Sequence, residues 1–559
     1  MGYFRTQLGQ FGAAGIFSSA LVAVFALQLV HGAYSAPIAG YPDEPGHVVT
    51  SLMYRQFLLA PTADPLQFAK NYYSHYPYVA AGHWPPMLHL SAAVWTILFG
   101  VGKTQFILYQ ALAGAAAGVL LYGSIRTIGS AWLAAVFAGI WMMLAQSQAA
   151  FSRFMTEAPL AFLTLAAVVV YIRYLRGPSY RLALLFAGLS SAAILTKETA
   201  VALAFVPPLA VAASGQWYRL KQGHFWMPAA LVLAIVGPWH FWIAGLGVGR
   251  YPGGAIQRLL IHSDSTVTDR LALFVQLLGW PLLLLAVFGL VVCLARVNRD
   301  RDSSTLWIAH ASLLAGGVFV LLVAPESVEV RHLYQLSPSL LVFAAAGAWA
   351  LTQRLQGSLR TPAAALLGLC CILLSPANFT LQMKASVAPL DPSSVARYLC
   401  SDPDAQIILI SANGRTPEGP LIAEVALLEP LPTRFLIRSS KTTYQSGWAG
   451  TSYQPFISTL PDLENFVDSS GIDTIVRLTG RTQPHRHRPD EEMLSLLIAG
   501  RPNDWASVPI EFADQARVYR RITINKTVRQ PIRIQMSFRL GENLMVEPAD
   551  APVPPEPSR

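Results

Sequence analysis

Two adjacent carboxylates, Asp43 and Glu44, follow the first long apolar run of the chain, within the stretch Tyr-Pro-Asp-Glu-Pro-Gly-His from Tyr41 to His47. A carboxylate close to lipid is costly and usually serves a function. A pair at this place is typical of a general base or a metal ligand. A structural alternative stays open, because Asp43 could cap the next helix with Pro45 in its first turn. The two roles are compatible.

The composition places most of the chain in a membrane. Of the 559 residues, 53% are hydrophobic and 13% are charged, and the mean hydropathy is +0.43. Soluble proteins average about 25% charged residues. The formal charge of +9 comes with basic residues that lie mostly in short loops between apolar segments, where the positive-inside rule expects them. The charge therefore does not indicate a nucleic-acid partner.

Twelve apolar segments predict a polytopic helical membrane protein. They lie near 11–33, 86–100, 105–125, 131–150, 158–175, 182–196, 200–213, 225–243, 273–296, 306–323, 333–352 and 362–380. The segment after Pro85 is too short for an ordinary span, so we expect a re-entrant or half-length helix there. The prediction is 11 to 13 transmembrane helices within a membrane domain over residues 1–384.

The distribution of charge predicts the topology. If the basic clusters between apolar segments are cytoplasmic, the acidic side chains of the connecting loops face outward. We therefore expect a cytoplasmic N-terminus, an inner (plasma) membrane location, and a C-terminal domain on the periplasmic or extracellular side. Two outward loops are long, 34–85 and 244–272, and loops of such length usually carry function. We refer to residues 34–85 as the first loop.

After residue 384 the pattern changes to short strands alternating with helices, which predicts a small external α/β domain over 385–541. The predicted strands are Ala405–Ser411, Thr433–Ile437, Gly471–Leu478 and Ala516–Ile522. The predicted helices are Pro461–Asp468 and Asp490–Ile498. Residues 542–559 are rich in proline and acid, so we expect a disordered tail.

Five short motifs carry a family resemblance. They are the Asp43-Glu44 pair, Trp84-Pro85-Pro86, the stretch Arg153 to Leu160 (Arg-Phe-Met-Thr-Glu-Ala-Pro-Leu), Leu195 to Glu198 (Leu-Thr-Lys-Glu) and Arg331 to Tyr334 (Arg-His-Leu-Tyr). In this order, over residues 10–350, they resemble the C-type membrane glycosyltransferases, in particular the protein O-mannosyltransferases and the lipid A aminoarabinose transferases. The resemblance implies the fold of that family and a sugar donor carried on polyprenyl phosphate.

The resemblance also implies roles for individual residues. Asp43 corresponds to the base, with Glu44 as its hydrogen-bonding or structural neighbour. Glu157 stands where relatives have Asp in Thr-Asp-Ala-Pro, and its longer side chain could support the site instead. Positive charge must hold the leaving phosphate, and the candidates are Lys197, Arg331 and Arg153. For Lys197 and Arg331 the alternative is a snorkelling cation that anchors a helix end.

A divalent metal (Zn, Mn or Mg) is a further hypothesis. His83 occupies the position where the lipid A class carries Glu, and His262 of the second long loop is its candidate partner. Imidazole suits Zn and Mn. The alternative is a polar histidine at the membrane interface. Trp84 departs from the lipid A class by replacing a cation.

The sequence thus favours a hexosyl- or pentosyltransferase that moves a sugar from a polyprenyl-phosphate donor to a lipid, glycan or protein acceptor outside the membrane. The competing hypothesis is a transporter or flippase of a lipid-linked glycan. Transporters usually contain internal repeats and a mid-membrane site, whereas here the acidic residues collect toward one face.

Overall fold

The computed structural model describes most of the chain. The described residues are 12–39, 42–245, 266–297, 301–323, 329–355, 357–380, 392–412, 418–429, 431–445, 453–478, 488–510, 516–522, 530–535 and 543–547. Tyr41, most of the second long loop with His262, and residues 548–559 of the predicted tail lie outside these ranges.

The membrane domain is a bundle of helices. Its α-helices are α1 (Gly12–Val30), α2 (Glu44–Leu59), α3 (Pro65–His75), α4 (Met87–Phe99), α5 (Lys103–Arg126), α6 (Ala131–Met143), α7 (Ala145–Ser152), α8 (Glu157–Arg176), α9 (Tyr180–Ile194), α10 (Val206–Ser214), α11 (Gly223–Gly245), α12 (Val267–Leu278), α13 (Trp280–Ala295), α14 (Arg301–Val323), α15 (Ser337–Leu351) and α16 (Arg360–Leu374). Short 3₁₀ segments, Glu198–Phe205 and Val330–Leu336, precede α10 and α15.

Each of the twelve predicted apolar segments contains one helix or one bent pair of helices, whereas α2 and α3 lie in the first loop, outside those segments. Within the described ranges, five single helices are long and apolar enough to cross a membrane, or seven spans if each bent pair counts as one, and five shorter apolar helices accompany them. Helix α4 has 13 residues, about 20 Å at 1.5 Å per residue. It is therefore shorter than a hydrocarbon core of about 30 Å, as its sequence predicted.

Two spans are bent. Helices α6 and α7 meet at 67°, and α12 and α13 meet at 103°. The second bend lies at Gly279, whose φ of +79° favours glycine. Asn378 donates to the backbone carbonyls of Val275 and Gln276 at 3.1 and 2.6 Å. This amide satisfies acceptors that the break removes from the helix ladder.

Helix α15 forms the buried centre of the bundle. Its span, counted from Val330, is 94% buried. A Cβ on Gly289 of α13 would lie 1.9 Å from the carbonyl oxygen of Phe343, so glycine is required for this close approach. Because α15 is fixed along its length, the 3₁₀ segment before it, which carries Arg331, is also held in place.

The C-terminal domain is α/β, as predicted. Its elements are α17 (Ser393–Ser401), β1 (Ile407–Ala412), α18 (Glu418–Leu428), β2 (Phe435–Arg438), α19 (Ser439–Thr442), β3 (Tyr444–Gln445), β4 (Gln454–Pro455), α20 (Leu460–Ser469), β5 (Thr474–Leu478), α21 (Pro489–Gly500), β6 (Trp505–Val508), β7 (Ala516–Arg521), β8 (Ile532–Gln535) and β9 (Asn543–Val546). The main sheet has the order β2-β1-β5-β7-β6, parallel from β2 to β5 and antiparallel beyond it.

The tail prediction is wrong at its start. Residues 543–546 form strand β9, which pairs antiparallel with β8 through Ile532 and Val546. The apolar residues Leu544 and Val546 pack against the core of the domain. Proline and acid content is concentrated after this strand, so composition averaged over 542–559 concealed it.

The first loop and the C-terminal domain share one hydrophobic core. Ile38, Val48 and Leu52 belong to the same buried cluster as Ile408 of β1. The ring of His75 stacks on that of Phe435 with centroids 4.1 Å apart. The first loop is therefore packed between the membrane helices and the C-terminal domain, with its backbone fixed from both sides.

Candidate active site

Asp43 lies at the mouth of the helical bundle and pairs with a cation. It occupies the N-cap position of α2, but its side chain makes no capping hydrogen bond. Instead its Oδ2 accepts from Nη1 of Arg331 at 2.9 Å. Asp43 is 8% exposed. The capping alternative is thus wrong for the side chain, which is directed to Arg331.

Arg331 is held in a fork between two carboxylates. Its Nε donates to Oε2 of Glu329 at 2.9 Å, while Nη1 reaches Asp43. The backbone N–H of Glu329 donates to Nδ1 of His332 at 3.2 Å, which fixes the turn that carries the arginine. Such forked geometry suits a planar guanidinium and matches the geometry of a phosphate equally well.

A second ion pair joins two other predicted site residues. Nζ of Lys197 lies 2.9 Å from Oε1 of Glu157. Glu157 is the first residue of α8, and Lys197 directly precedes the 3₁₀ segment Glu198–Phe205. The side chains are 17% and 6% exposed for Lys197 and Glu157. Both cations therefore lie at the mouth of the bundle in ion pairs, and neither is a freely snorkelling chain.

The four charged groups influence one another. Burial raises the pKa of Asp43 above its ordinary value, and the Glu157 carboxylate adds to the rise. Arg331 and Lys197 oppose it by favouring the charged form. Asp43 is consequently a stronger base than an exposed aspartate, and its basicity depends on where the Arg331 guanidinium lies.

Glu44 has a structural position. Its side chain is fully buried, and Oε1 accepts from the backbone N–H of Phe154 at 2.9 Å. This bond ties α2 to the segment between α7 and α8 that leads to Glu157. Arg153, at the end of α7, is 9% exposed, and its role at a phosphate stays a prediction.

A buried pair of histidines close to Asp43 in the chain was not predicted from the sequence. Nδ1 of His47 lies 3.0 Å from Nε2 of His89, and the His47 ring packs on Trp84 with centroids 4.0 Å apart. Burial, together with neighbouring His89, lowers the pKa of His47 well below its ordinary value, so its imidazole is neutral. One signal was available, since His47 is four positions after Asp43 and shares its helix face.

Of the two histidines in the metal hypothesis, only His83 lies in the part of the chain that the structure describes. His83 is exposed and lies edge-on to Trp84 with centroids 4.8 Å apart. Across the described ranges no group of three histidine, cysteine or acidic side chains gathers where it could hold an ion. Its candidate partner His262 lies outside those ranges, so the metal site stays a prediction.

Comparison with known proteins decides the fold. Across 94% of this chain and all of the other, the structure matches ArnT from Cupriavidus metallidurans bound to undecaprenyl phosphate, with a TM-score of 0.57 and 14% identity. ArnT from the same organism in the apo state matches 90% of this chain and 98% of its own, with a TM-score of 0.52 and 14% identity. The chain has the C-type glycosyltransferase fold.

Sequence comparison supports the same fold assignment over part of the chain. Residues 83–242 match the dolichyl-phosphate-mannose-protein mannosyltransferase family. That region contains Glu157 and Lys197 but neither Asp43 nor Arg331. No curated protein matches this sequence. The apolar helices and the C-type fold together make the chain a multi-pass membrane protein.

Proposed function

We propose that this protein is a membrane glycosyltransferase that moves a sugar from a polyprenyl-phosphate-linked donor to an acceptor on the external face of the membrane. The observation that carries the proposal is the contact between Asp43 and Arg331. It brings a candidate base and a candidate phosphate ligand together within a fold that also occurs in an undecaprenyl-phosphate-bound protein. The match to a mannosyltransferase family adds support.

In the proposed reaction the acceptor hydroxyl attacks the anomeric carbon of the donor. Its proton passes to the Asp43 carboxylate as the new carbon–oxygen bond forms. The bond between the anomeric carbon and the phosphate oxygen breaks, and its electron pair leaves with polyprenyl phosphate. Charge grows on that phosphate in the transition state, where a positioned cation lowers the barrier.

Arg331 links binding of the donor phosphate to the basicity of Asp43. A donor phosphate competes with Asp43 for the guanidinium, because both offer oxygen atoms to the same N–H fork. When Arg331 turns to the phosphate, Asp43 loses a neighbour that lowers its pKa. Donor binding therefore makes Asp43 a better base when one is needed.

Lys197 supplies a second positive charge, held by Glu157. The 2.9 Å pair fixes the ammonium at the mouth of the bundle, where a preorganised cation costs little reorganisation during the reaction. We assign Lys197 to the donor phosphate and Glu157 to the support of Lys197. This differs from a direct catalytic role for Glu157, and it follows from the contact between them.

The test uses purified full-length protein in detergent and a panel of synthetic polyprenyl-phosphate sugars, both hexoses and pentoses. Release of free polyprenyl phosphate is measured with lipid, glycan and peptide acceptors. We expect one donor to be cleaved by the wild type and not by Asp43→Asn. If no donor is cleaved, yet the protein moves lipid-linked glycan across a reconstituted bilayer, the transporter hypothesis replaces this proposal.

A further inference from the structure

The C-terminal domain reaches the first loop through an ion pair at the carboxyl end of strand β2. Arg438, the last residue of β2, donates from Nε to Oε2 of Glu418 at 2.7 Å. Ser440 donates its hydroxyl to the same carboxylate at 2.5 Å. Burial alone would raise the pKa of Glu418, but Arg438 and Ser440 hold it below its ordinary value. The pair is thus charged and fixed.

The Arg438 guanidinium then contacts the first loop directly. Nη1 donates to the backbone carbonyl of Pro77 at 3.1 Å, and the guanidinium carbon lies 4.8 Å from the centre of the Tyr78 ring. Such a cation over an aromatic face is attractive, more so when the contact is sheltered from water. Arg438 therefore fixes both the backbone and the ring at the end of the first loop.

Gly419 contacts the Tyr78 ring from the C-terminal domain. A Cβ added to Gly419 would lie 2.4 Å from Cζ and 2.7 Å from Cε1 of that ring. Distances of this kind leave no room for a methyl group. The Tyr78 ring is therefore held between Arg438 and the backbone of α18, and its position depends on two residues of the C-terminal domain.

Tyr78 in turn lies beside the turn that carries Asp43. Its hydroxyl lies 3.4 Å from the carbonyl oxygen of Pro42, the residue before Asp43. At this distance the hydrogen bond is weak, so packing contributes more than the bond itself. On the other side, a Cβ on Gly46 would lie 3.6 Å from the Tyr78 carbonyl oxygen. Displacing Tyr78 would displace the first turn of α2.

We propose that Arg438, Glu418 and Gly419 of the C-terminal domain are positioning residues for Asp43, acting through Tyr78. The inference rests on the proposed function, and it makes the external domain a part of the active site. A shift of about 1 Å at a base can cost on the order of 100-fold in rate. The domain would thus act on turnover with little effect on donor binding.

The first test compares two glycine substitutions in helices of the same domain. Gly419→Ala pushes on Tyr78, whereas Gly500→Ala at the end of α21 meets no atom within 4 Å. Alanine favours a helix over glycine, so helix propensity destabilises neither variant. We expect Gly419→Ala to lower kcat about 10- to 100-fold with the donor KM nearly unchanged, and Gly500→Ala to match the wild type.

A compensating substitution separates positioning from general damage. Tyr78→Leu removes the atoms that the new methyl group would meet, so Gly419→Ala should add no further loss in a Tyr78→Leu background. Additive losses would mean that the two residues act independently. That result, or an unchanged kcat for Gly419→Ala, would overturn the proposal.

Two further measurements test the positioning role without relying on the kinetics of Gly419→Ala. If Gly419→Ala lowers the yield of folded protein, Arg438→Lys keeps the charge but loses the flat guanidinium over Tyr78, and it should lower kcat at constant donor KM. An unchanged kcat would count against the proposal.

If the wild type cleaves no donor, the proposed function fails, and hydrogen exchange of residues 42–47 still reports the contact. Exchange should quicken in Gly419→Ala and not in Gly500→Ala, and equal rates would exclude the positioning role.

Discussion

Asp43 and Arg331 are 288 positions apart in the chain, and their side chains meet at 2.9 Å. Each neutralises the other at a place where an isolated charge would be costly. The same contact also makes the two groups interdependent, since a ligand that takes the guanidinium alters the carboxylate.

Removing the proton acceptor should strongly reduce transfer while the fold is retained. Asp43→Asn keeps the size of the side chain and one oxygen acceptor for Arg331, so we expect a loss of about 100-fold or more in kcat. Asp64→Asn is the matched control, because Asp64 lies in the same loop and caps α3 by accepting from Leu66 and Gln67, a role that asparagine also fills. Release of polyprenyl phosphate is the measurement, and a fully active Asp43→Asn protein would refute the assignment of the base.

The shape of the Arg331 side chain should matter as well as its charge. Arg331→Lys replaces a forked donor with a point charge and should keep part of the activity, whereas Arg331→Ala should keep very little. Glu329→Gln, which weakens the more exposed of the two ion pairs of Arg331, should have a small effect. Donor KM and kcat are measured for each variant at saturating acceptor. Equal activity of the lysine and alanine variants would remove the phosphate role.

The pH dependence of kcat/KM should report the charges around Asp43. The base must be ionised, so activity falls as pH drops through the pKa of Asp43, which burial places above its ordinary value. Arg331→Ala removes a cation that lowers this pKa, so the acidic limb of the profile should move to higher pH. Glu157→Gln removes a carboxylate that raises it, so the limb should move to lower pH. Shifts in the same direction for both variants would contradict the electrostatic account.

Single and double variants of the Lys197–Glu157 pair should distinguish its contribution to stability from its contribution to catalysis. Lys197→Gln leaves a carboxylate with 6% exposure without this partner, and breaking such a pair costs about 3–5 kcal/mol. The double variant Lys197→Gln with Glu157→Gln removes both charges and should recover most of the thermal stability, but it should not recover turnover, because the cation for the phosphate is still missing. Unfolding temperature in detergent and donor cleavage are measured on the same samples. Recovery of both together would make Lys197 purely structural.

The proposed orientation has a direct chemical test. In a protein otherwise free of cysteine, Ser469→Cys in α20 should react with an impermeant thiol reagent on intact cells. Gly177→Cys, in the basic loop after α8, should react only after the membrane is opened. The opposite pattern would place the Asp43 site on the cytoplasmic face.

The sequence predicted the features that depend on a single residue type or on a repeating pattern of apolar residues. Apolar runs predicted the helices of the membrane domain except α2 and α3 of the first loop, and alternation after residue 384 predicted the strands β1, β2, β5 and β7. The distribution of charge predicted that Asp43 and Arg331 lie on the same side of the membrane, and the family resemblance implied their roles. In the structure the two side chains form an ion pair, and their shared role in a reaction stays a prediction.

Contacts that depend on tertiary packing could not be predicted in this way. Tyr78 reads as an interfacial aromatic in sequence, and nothing near it indicates that Arg438, 360 positions later, covers its ring. The bend between α6 and α7 lies at Leu144, where the sequence has neither proline nor glycine. The residue types at this place therefore did not predict a bend. For Glu157 the sequence left a direct and a supporting role open, and its contact with Lys197 favours the supporting role.

The core shared by the first loop and the C-terminal domain bears on how such proteins exchange parts. Ile38, Val48 and Leu52 are covered by side chains from beyond residue 392, so a chimera that trades the C-terminal domain alone would join two surfaces that do not fit. The unit that can be transplanted is discontinuous and comprises residues 36–85 together with 392–547. Recombination at a single junction near residue 384 would look natural in the sequence and would divide that unit.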